Sequence, residues 1–313
     1  MSEVSRRKII IADSALALIA FIWGIGFVAT KDALSSFPPY WLLTIRFSGS
    51  FLLMLVIFKN RLKKLTALDV KAGMLTGIFL FLGFAFQTVG LNYTTASKQA
   101  FITGTYVVIV PFLVWAVKKA FPGYVSFVAS FLCLIGLALL TLEWSGNPFA
   151  TASKGDLLTL FCALFFACDI ILVEHFVQKM DPLAFATLKV GTAAILSLIC
   201  ALSLEKWPSS ITPKAWLSMV YLTLFCTVFA YSVQNMAQKF TPSTHASILL
   251  SLESVFGALS GIILLGELFT PQMILGSVLI FIAILLTELG PKTLKRVFFS
   301  TTKEQAKSSP RGL

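Results

Sequence analysis

The sequence predicts an all-α integral membrane protein of ten transmembrane helices, arranged as two inverted five-helix repeats, and three observations carry that reading. With 57% hydrophobic residues, 12% charged residues and a mean hydropathy of +0.88, the chain is too apolar for a water-soluble domain. Its apolar residues gather into ten segments near the length of about 20 residues that crosses a bilayer core of about 30 Å. Polar and proline landmarks of the first half return in the same order in the second.

The segments cover residues 13–34, 41–58, 71–91, 98–117, 123–141, 155–178, 183–202, 214–236, 243–265 and 271–288. The first follows Arg6, Arg7 and Lys8 as a signal peptide would, but it runs long and has no small-residue cleavage site, so it reads as a helix. Pro39 opens the second, which carries Arg46 near its start, and the third carries Gln87. The fourth holds Tyr106 and Pro111, and the fifth Gly136. Asp169 lies in the sixth, Lys189 in the seventh, and Tyr231 with Gln234 in the eighth. Glu253 lies near the middle of the ninth, STHASILLSLESVFGALSGIILL, and Gly276 in the tenth. Residues 1–12 and 289–313 are expected as tails. Two units follow, 13–141 and 155–288, joined by connections too short for a soluble domain.

A net charge of +11 invites a nucleic-acid reading, but the placement of the 25 Lys and Arg residues answers it. Most fall on the side of the amino terminus, as at Arg6, Arg7, Lys8, Lys59, Arg61, Lys63 and Lys64, while Lys31, Lys98, Lys154, Lys206 and Lys214 fall on the other. That is the positive-inside asymmetry of a multi-pass protein of the inner or plasma membrane with both termini cytoplasmic. No nucleic-acid partner is expected. The five cysteines lie inside apolar segments and read as small hydrophobes, neither a disulfide framework nor a metal site. The chain holds no G-x-x-x-x-G-K-[ST], G-x-S-x-G or H-E-x-x-H pattern, so no nucleotide-driven pump, no enzyme, no catalytic residue, no metal and no cofactor is expected.

Pro39 and Pro182, Arg46 and Lys189, and Lys71-Ala72 and Lys214-Ala215 all match at an offset of 143. Gln87, Tyr93 and Thr94 match Gln234, Phe240 and Thr241 at 147. Each half holds five helices, an odd number, so the second half enters the membrane from the opposite side. Inverted repeats of this kind build a midplane site and two alternating gates in secondary transporters. The second offset also pairs Tyr106 with Glu253, two polar side chains at equivalent mid-helix positions.

The pattern resembles the drug/metabolite transporter superfamily, in particular its EamA-like branch of ten-helix proteins. The resemblance rests on Trp23-Gly24, Pro39 with Arg46, the run Tyr93-Thr94-Thr95-Ala96-Ser97, Pro111, and the block SILLSLESVFGALSGIILLGE from Ser247 to Glu267. It covers residues 13 to 288 and implies that each half is one EamA-type repeat. It also implies transport of amino acids, other metabolites or drugs, and leaves the substrate open. Members of this branch often carry proline after the ninth-helix Glu; here Ser254 stands there, which leaves a kink at that point open.

A carboxylate at the membrane midplane costs about 2.5 to 3.5 kcal/mol on insertion scales, so Glu253 needs a partner, a proton or water. Either it locks helices together or it meets a solute. The substrate-binding set expected is Glu253, Tyr106, Trp23, Gln87, Tyr231 and Gln234. Arg46, Lys189 and Asp169 are expected as gating or ion-pair residues: Lys189 pairs with Asp169, while Arg46 has no acid near its depth other than Asp32, which leaves a gate or helix-end role open to it. The leading function is alternating-access transport of a small metabolite, amino-acid export first. The alternatives are a proton-coupled exporter of drugs or cationic metabolites, and a membrane assembly or sensing protein without flux. Beyond the small molecule and the bilayer, protons and a second copy of the chain are the partners this leaves open, the latter through small-residue faces at Gly136 and Gly276.

Overall fold

The computed structural model describes residues 3–119, 121, 123–141, 154–265, 271–272, 274–276, 278–283 and 286, and all regular structure among them is helical. The helices are α1 (Glu3–Leu34), α2 (Pro39–Ile57), α3 (Lys59–Leu62), α4 (Ala67–Gly90), α5 (Ala96–Gly104), α6 (Tyr106–Lys118) and α7 (Tyr124–Thr141). The second half contributes α8 (Lys154–Val177), α9 (Pro182–Leu204), α10 (Pro213–Thr223), a π-turn (Leu224–Phe229), α11 (Ala230–Ala237), α12 (Ser243–Leu250), α13 (Leu252–Leu265) and α14 (Ile274–Ala283). Among the described residues seven helical stretches are long and apolar enough to cross a membrane; Tyr124–Leu139 and Ile274–Ala283 are shorter. Large apolar side chains lie on the outside, Val56 and Leu217 at 71% exposure and Ile263 at 78%, as a lipid-facing surface requires.

Local chemistry explains where the helices begin. α1 starts at Glu3, so most of the expected tail up to residue 12 is helical; Glu3, Arg6, Arg7 and Lys8 all favour helix and no Gly or Pro interrupts them. α4 starts at Ala67, ahead of the apolar run, because Thr66 and Asp69 form a reciprocal capping box. Asp181 caps α9 by accepting from the amides of Leu183 and Ala184, at 3.0 and 3.1 Å, just ahead of Pro182. α2 has no side-chain cap of its own. Its free amides at Tyr40 and Trp41 donate instead to Glu205, 2.9 and 3.1 Å away at the far end of α9. Burial there pushes the Glu205 carboxyl above the ordinary carboxylate range, and the two amides draw it back.

Contacts at the two ends of the bundle fix the course of the chain. At one end Ser36 meets Thr212, Asp32 pairs with Lys214, Lys31 donates to the carbonyls of Leu91 and Thr94, and Thr94 donates to Asp156. At the other, Arg61 pairs with Asp181, Thr241 donates to Asp13, and Ser243 donates to Glu174. α1 therefore runs from the Asp13 end to the Lys31 end, and α8 runs the opposite way, from Asp156 to Glu174. The packing is paired accordingly. α4 lies against α8 and α9, as α10 lies against α1 and α2; α13 packs on α1 as α6 packs on α8; and α2 and α9 pack on each other. Gly136 and Gly276, open at the sequence level to a second copy of the chain, meet each other: a Cβ on Gly136 would lie 2.7 Å from the Gly276 carbonyl oxygen.

Two apolar segments expected as single helices are broken. The fourth is interrupted at Thr105 and the ninth at Ser251. Each break is satisfied by a hydroxyl: Thr105 donates to the Ile102 carbonyl at 2.6 Å, and Ser251 to the Ile248 carbonyl at 2.7 Å. The ninth segment is thus interrupted at Ser251, with Ser and not proline at position 254. The breaks lie back to back, with the Ser254 hydroxyl bonded to the Ala100 carbonyl at 2.8 Å and 2.9 Å from where a Cβ on Gly104 would stand.

Candidate functional site

The broken helices, α1, α2, α4, α8 and the eighth segment line a central, partly open cavity. Tyr106 and Glu253, each just past a break, stand on its wall together with Trp23, Gln87, Tyr231 and Gln234. All six residues singled out in the sequence for solute binding therefore share one chamber. Arg46 and Asp169 line it as well, and Lys189 lies behind Asp169.

Glu253 is 5% exposed, and its Oε1 has no hydrogen-bond partner among the described residues. The Tyr106 hydroxyl lies beside this carboxylate, close enough to interact with it but outside regular hydrogen-bond geometry. Gln234 and Gln99 each leave an amide oxygen free, and so does Asp169 its Oδ1. Among the described residues, five residues of the chamber wall thus each hold a buried polar atom without a regular hydrogen bond, where each lost bond costs about 1 to 3 kcal/mol. Four of the five are acceptors. Aromatic faces complete the wall: Trp23 and Tyr231 lie 5.4 Å apart, Phe84 and Phe166 5.1 Å.

Lys189 and Asp169 form a fully buried pair, Nζ to Oδ2 3.0 Å, and the ammonium lies over the Tyr231 ring, 4.5 Å from its centroid. Asp32, the one acid near Arg46 in depth, does not pair with it. Asp32 is held by Lys214 at 2.9 Å at the end of the bundle, out of reach of the cavity. Arg46 instead donates through Nε to the Thr227 hydroxyl at 2.8 Å and through Nη2 to the Cys226 carbonyl at 3.4 Å, and its guanidinium lies over Phe84, 4.4 Å from the centroid. No carboxylate lies within ion-pair distance of it among the described residues.

Its two acceptors belong to the π-turn. There Thr227 bonds back to the Leu222 carbonyl five residues before it, and the Cys226 carbonyl also accepts the Trp23 indole N–H at 2.9 Å. No Gly or Pro marks residues 224–229, so this turn had no signal in the sequence. Gln99 was also missed. Its Nε2 donates to the Gln87 carbonyl at 2.6 Å, yet it falls at the start of a segment that reads as an ordinary helix end.

The wall is lined in pairs at the two offsets seen in the sequence. At 143, Trp23 stands opposite Phe166, Gly26 opposite Asp169, and Phe27 opposite Ile170; at 147, Phe84 pairs with Tyr231, Gln87 with Gln234, and Tyr106 with Glu253. The two cation–ring stacks, Arg46 on Phe84 and Lys189 on Tyr231, are counterparts under the same offsets.

Comparison with known proteins agrees with this architecture. Residues 10–142 and 153–289 match the model of the EamA-like transporter family. An "uncharacterized transporter" of Archaeoglobus fulgidus is 36% identical over 282 residues, 90% of this chain and 87% of that protein. Proteins named "probable amino-acid metabolite efflux pump" are similar at 28% identity in Salmonella typhimurium, over 89% of this chain and 95% of theirs, and at 27% in Escherichia coli, over 91% and 97%. A solved crystal structure superposes with a TM-score of 0.72 over 89% of this chain and 97% of its own, at 15% identity, a likeness of fold.

Proposed function

The chain belongs to the EamA-like transporter family, and from that premise we propose that it carries small amino-group metabolites, amino acids first among them, by alternating access through the central cavity. The observation that carries this reading is the Glu253 carboxylate, nine-tenths buried at the cavity wall with a free oxygen and the Tyr106 hydroxyl beside it. An ammonium group offers three donors and a positive charge to such a carboxylate, and the surrounding rings suit both the cation and an apolar side chain. The names of the Salmonella and Escherichia relatives support amino-acid export as the direction, and the asymmetry of basic residues supports an inner or plasma membrane with cytoplasmic termini.

In this proposal the two matched stretches are two repeats whose relative rocking opens the cavity to alternate sides, with the breaks at Thr105 and Ser251 as flexing points. A second reading, coupling to protons, is favoured by one observation: Asp169 keeps Oδ1 free on the same wall as Glu253, so two carboxylates face one chamber. Purified protein in liposomes loaded with a mixed amino-acid pool tests the proposal. Release of amino acids above protein-free liposomes is expected, and acceleration by an imposed pH gradient would add the proton. Flux of none of the pool, with the protein folded, would contradict it.

A further inference from the structure

The two halves of the cavity differ in two acids, Glu253 against Tyr106 and Asp169 against Gly26, and the second difference identifies a second pole for the solute. In the second half Lys189 lies over the Tyr231 ring and is neutralised by Asp169. In the first half the counterpart cation, Arg46, lies over the counterpart ring, Phe84, but the position equivalent to Asp169 is Gly26. Gly26 and Arg46 both border Cys226: a Cβ placed on Gly26 would lie 3.1 Å from the Cys226 sulfur, and the Cys226 carbonyl accepts from the Arg46 guanidinium. One half thus holds a closed ion pair and the other a buried guanidinium, 4% exposed, with neutral acceptors only.

A desolvated guanidinium presents a planar fork of five donors that matches a carboxylate in two-point geometry. Two of the five are used, on Thr227 and Cys226, and Nη1 has no hydrogen-bonding partner among the described residues. Arg46 and Glu253 both face the same chamber, and neither is in an ion pair among the described residues. We propose that Arg46, which has no acid beside it, receives the carboxylate of the transported molecule, so that the site selects dipolar solutes carrying an ammonium group for Glu253 and a carboxylate for Arg46. This rests on the central-site reading above and narrows it from amines in general to zwitterions.

The test compares binding of L-phenylalanine and L-leucine with that of their decarboxylated counterparts, phenethylamine and 3-methylbutylamine, to the purified full chain by titration calorimetry. The wild type should favour each amino acid over its amine by about tenfold or more, the worth of a hydrogen-bonded charge contact. Gly26→Asp places an acid at the Asp169-equivalent position and should invert that preference, while Gly26→Ala, which brings the same Cβ against the Cys226 sulfur without charge, should keep the ratio in favour of the amino acid. Because Arg46→Gln also removes the stack on Phe84 and could unfold the chain, the glycine pair decides the matter. Equal binding of amine and amino acid by the wild type would overturn the role of Arg46 while leaving Glu253 as an amine site. So would a ratio in Gly26→Asp equal to that of Gly26→Ala. Binding of neither class to folded wild type would remove the central-site reading and this one with it.

Discussion

At the scale of the residue, the buried charges divide by what neutralises them. Lys189 and Asp169 satisfy each other at 3.0 Å in full burial, a geometry in which removing one partner costs about 3 to 5 kcal/mol and removing both costs far less. Lys189→Ala should therefore lower the yield of folded protein sharply, and Lys189→Ala with Asp169→Ala should restore much of it, as read by monodisperse fraction in detergent. No recovery in the double variant would count against the pair as the cause. Tyr106 is a lighter contributor. Its hydroxyl meets no partner in regular hydrogen-bond geometry among the described residues, so Tyr106→Phe should change folding little and weaken solute binding by roughly 0.5 to 1.5 kcal/mol if it supplies one hydrogen bond to the complex. Full wild-type affinity in Tyr106→Phe would remove it from the site.

At the scale of the element, close approach of backbones holds the central helices. A Cβ on Gly24 of α1 would stand 2.6 Å from the Phe256 Cβ and 2.8 Å from the Gly257 backbone nitrogen, so α13 can pack there only against a bare backbone. Gly257, across the same contact, has its nearest neighbour at an ordinary 3.4 Å. Gly24→Ala should destabilise the protein by about 1 to 3 kcal/mol through overpacking, while Gly257→Ala should be nearly neutral, measured as thermal stability in detergent. Equal effects of the two would mean that α1 and α13 part more readily than their packing implies. Glu253 was legible in the sequence as the lone carboxylate near the middle of the ninth apolar segment. The breaks at Thr105 and Ser251 were not, since each is made by a hydroxyl bonding back to a carbonyl, and Thr and Ser occur as freely inside unbroken membrane helices. The π-turn was hidden for the same reason: it adds one residue to a turn without changing which residues are apolar.

At the scale of the whole molecule, opposed halves were readable because charge and proline are rare in membrane segments, so an ordered recurrence such as Pro39 with Pro182 and Arg46 with Lys189 stands out from apolar background. The surroundings of Arg46 were less legible: Asp32, the one acid near it in depth, turns to Lys214, and its acceptors Thr227 and Cys226 lie in a π-turn that carries no sequence signal. The course of the chain is itself testable. Asn60 and Ser209 are exposed at opposite ends of the bundle, so single cysteines at these positions should react with a membrane-impermeant thiol reagent from opposite faces of sealed vesicles, Asn60→Cys from the cytoplasmic face. Labelling of both from one face would contradict the opposed halves.

The most direct test of the central claim is amino-acid flux through liposomes containing wild type or Glu253→Gln at equal folded protein. The amide is nearly isosteric and still hydrogen-bonds, so a carboxylate that merely ties helices together would tolerate the change. If Glu253 holds the solute's ammonium group or carries a proton, flux should fall by an order of magnitude or more while thermal stability is unchanged. Wild-type flux in Glu253→Gln would contradict the account.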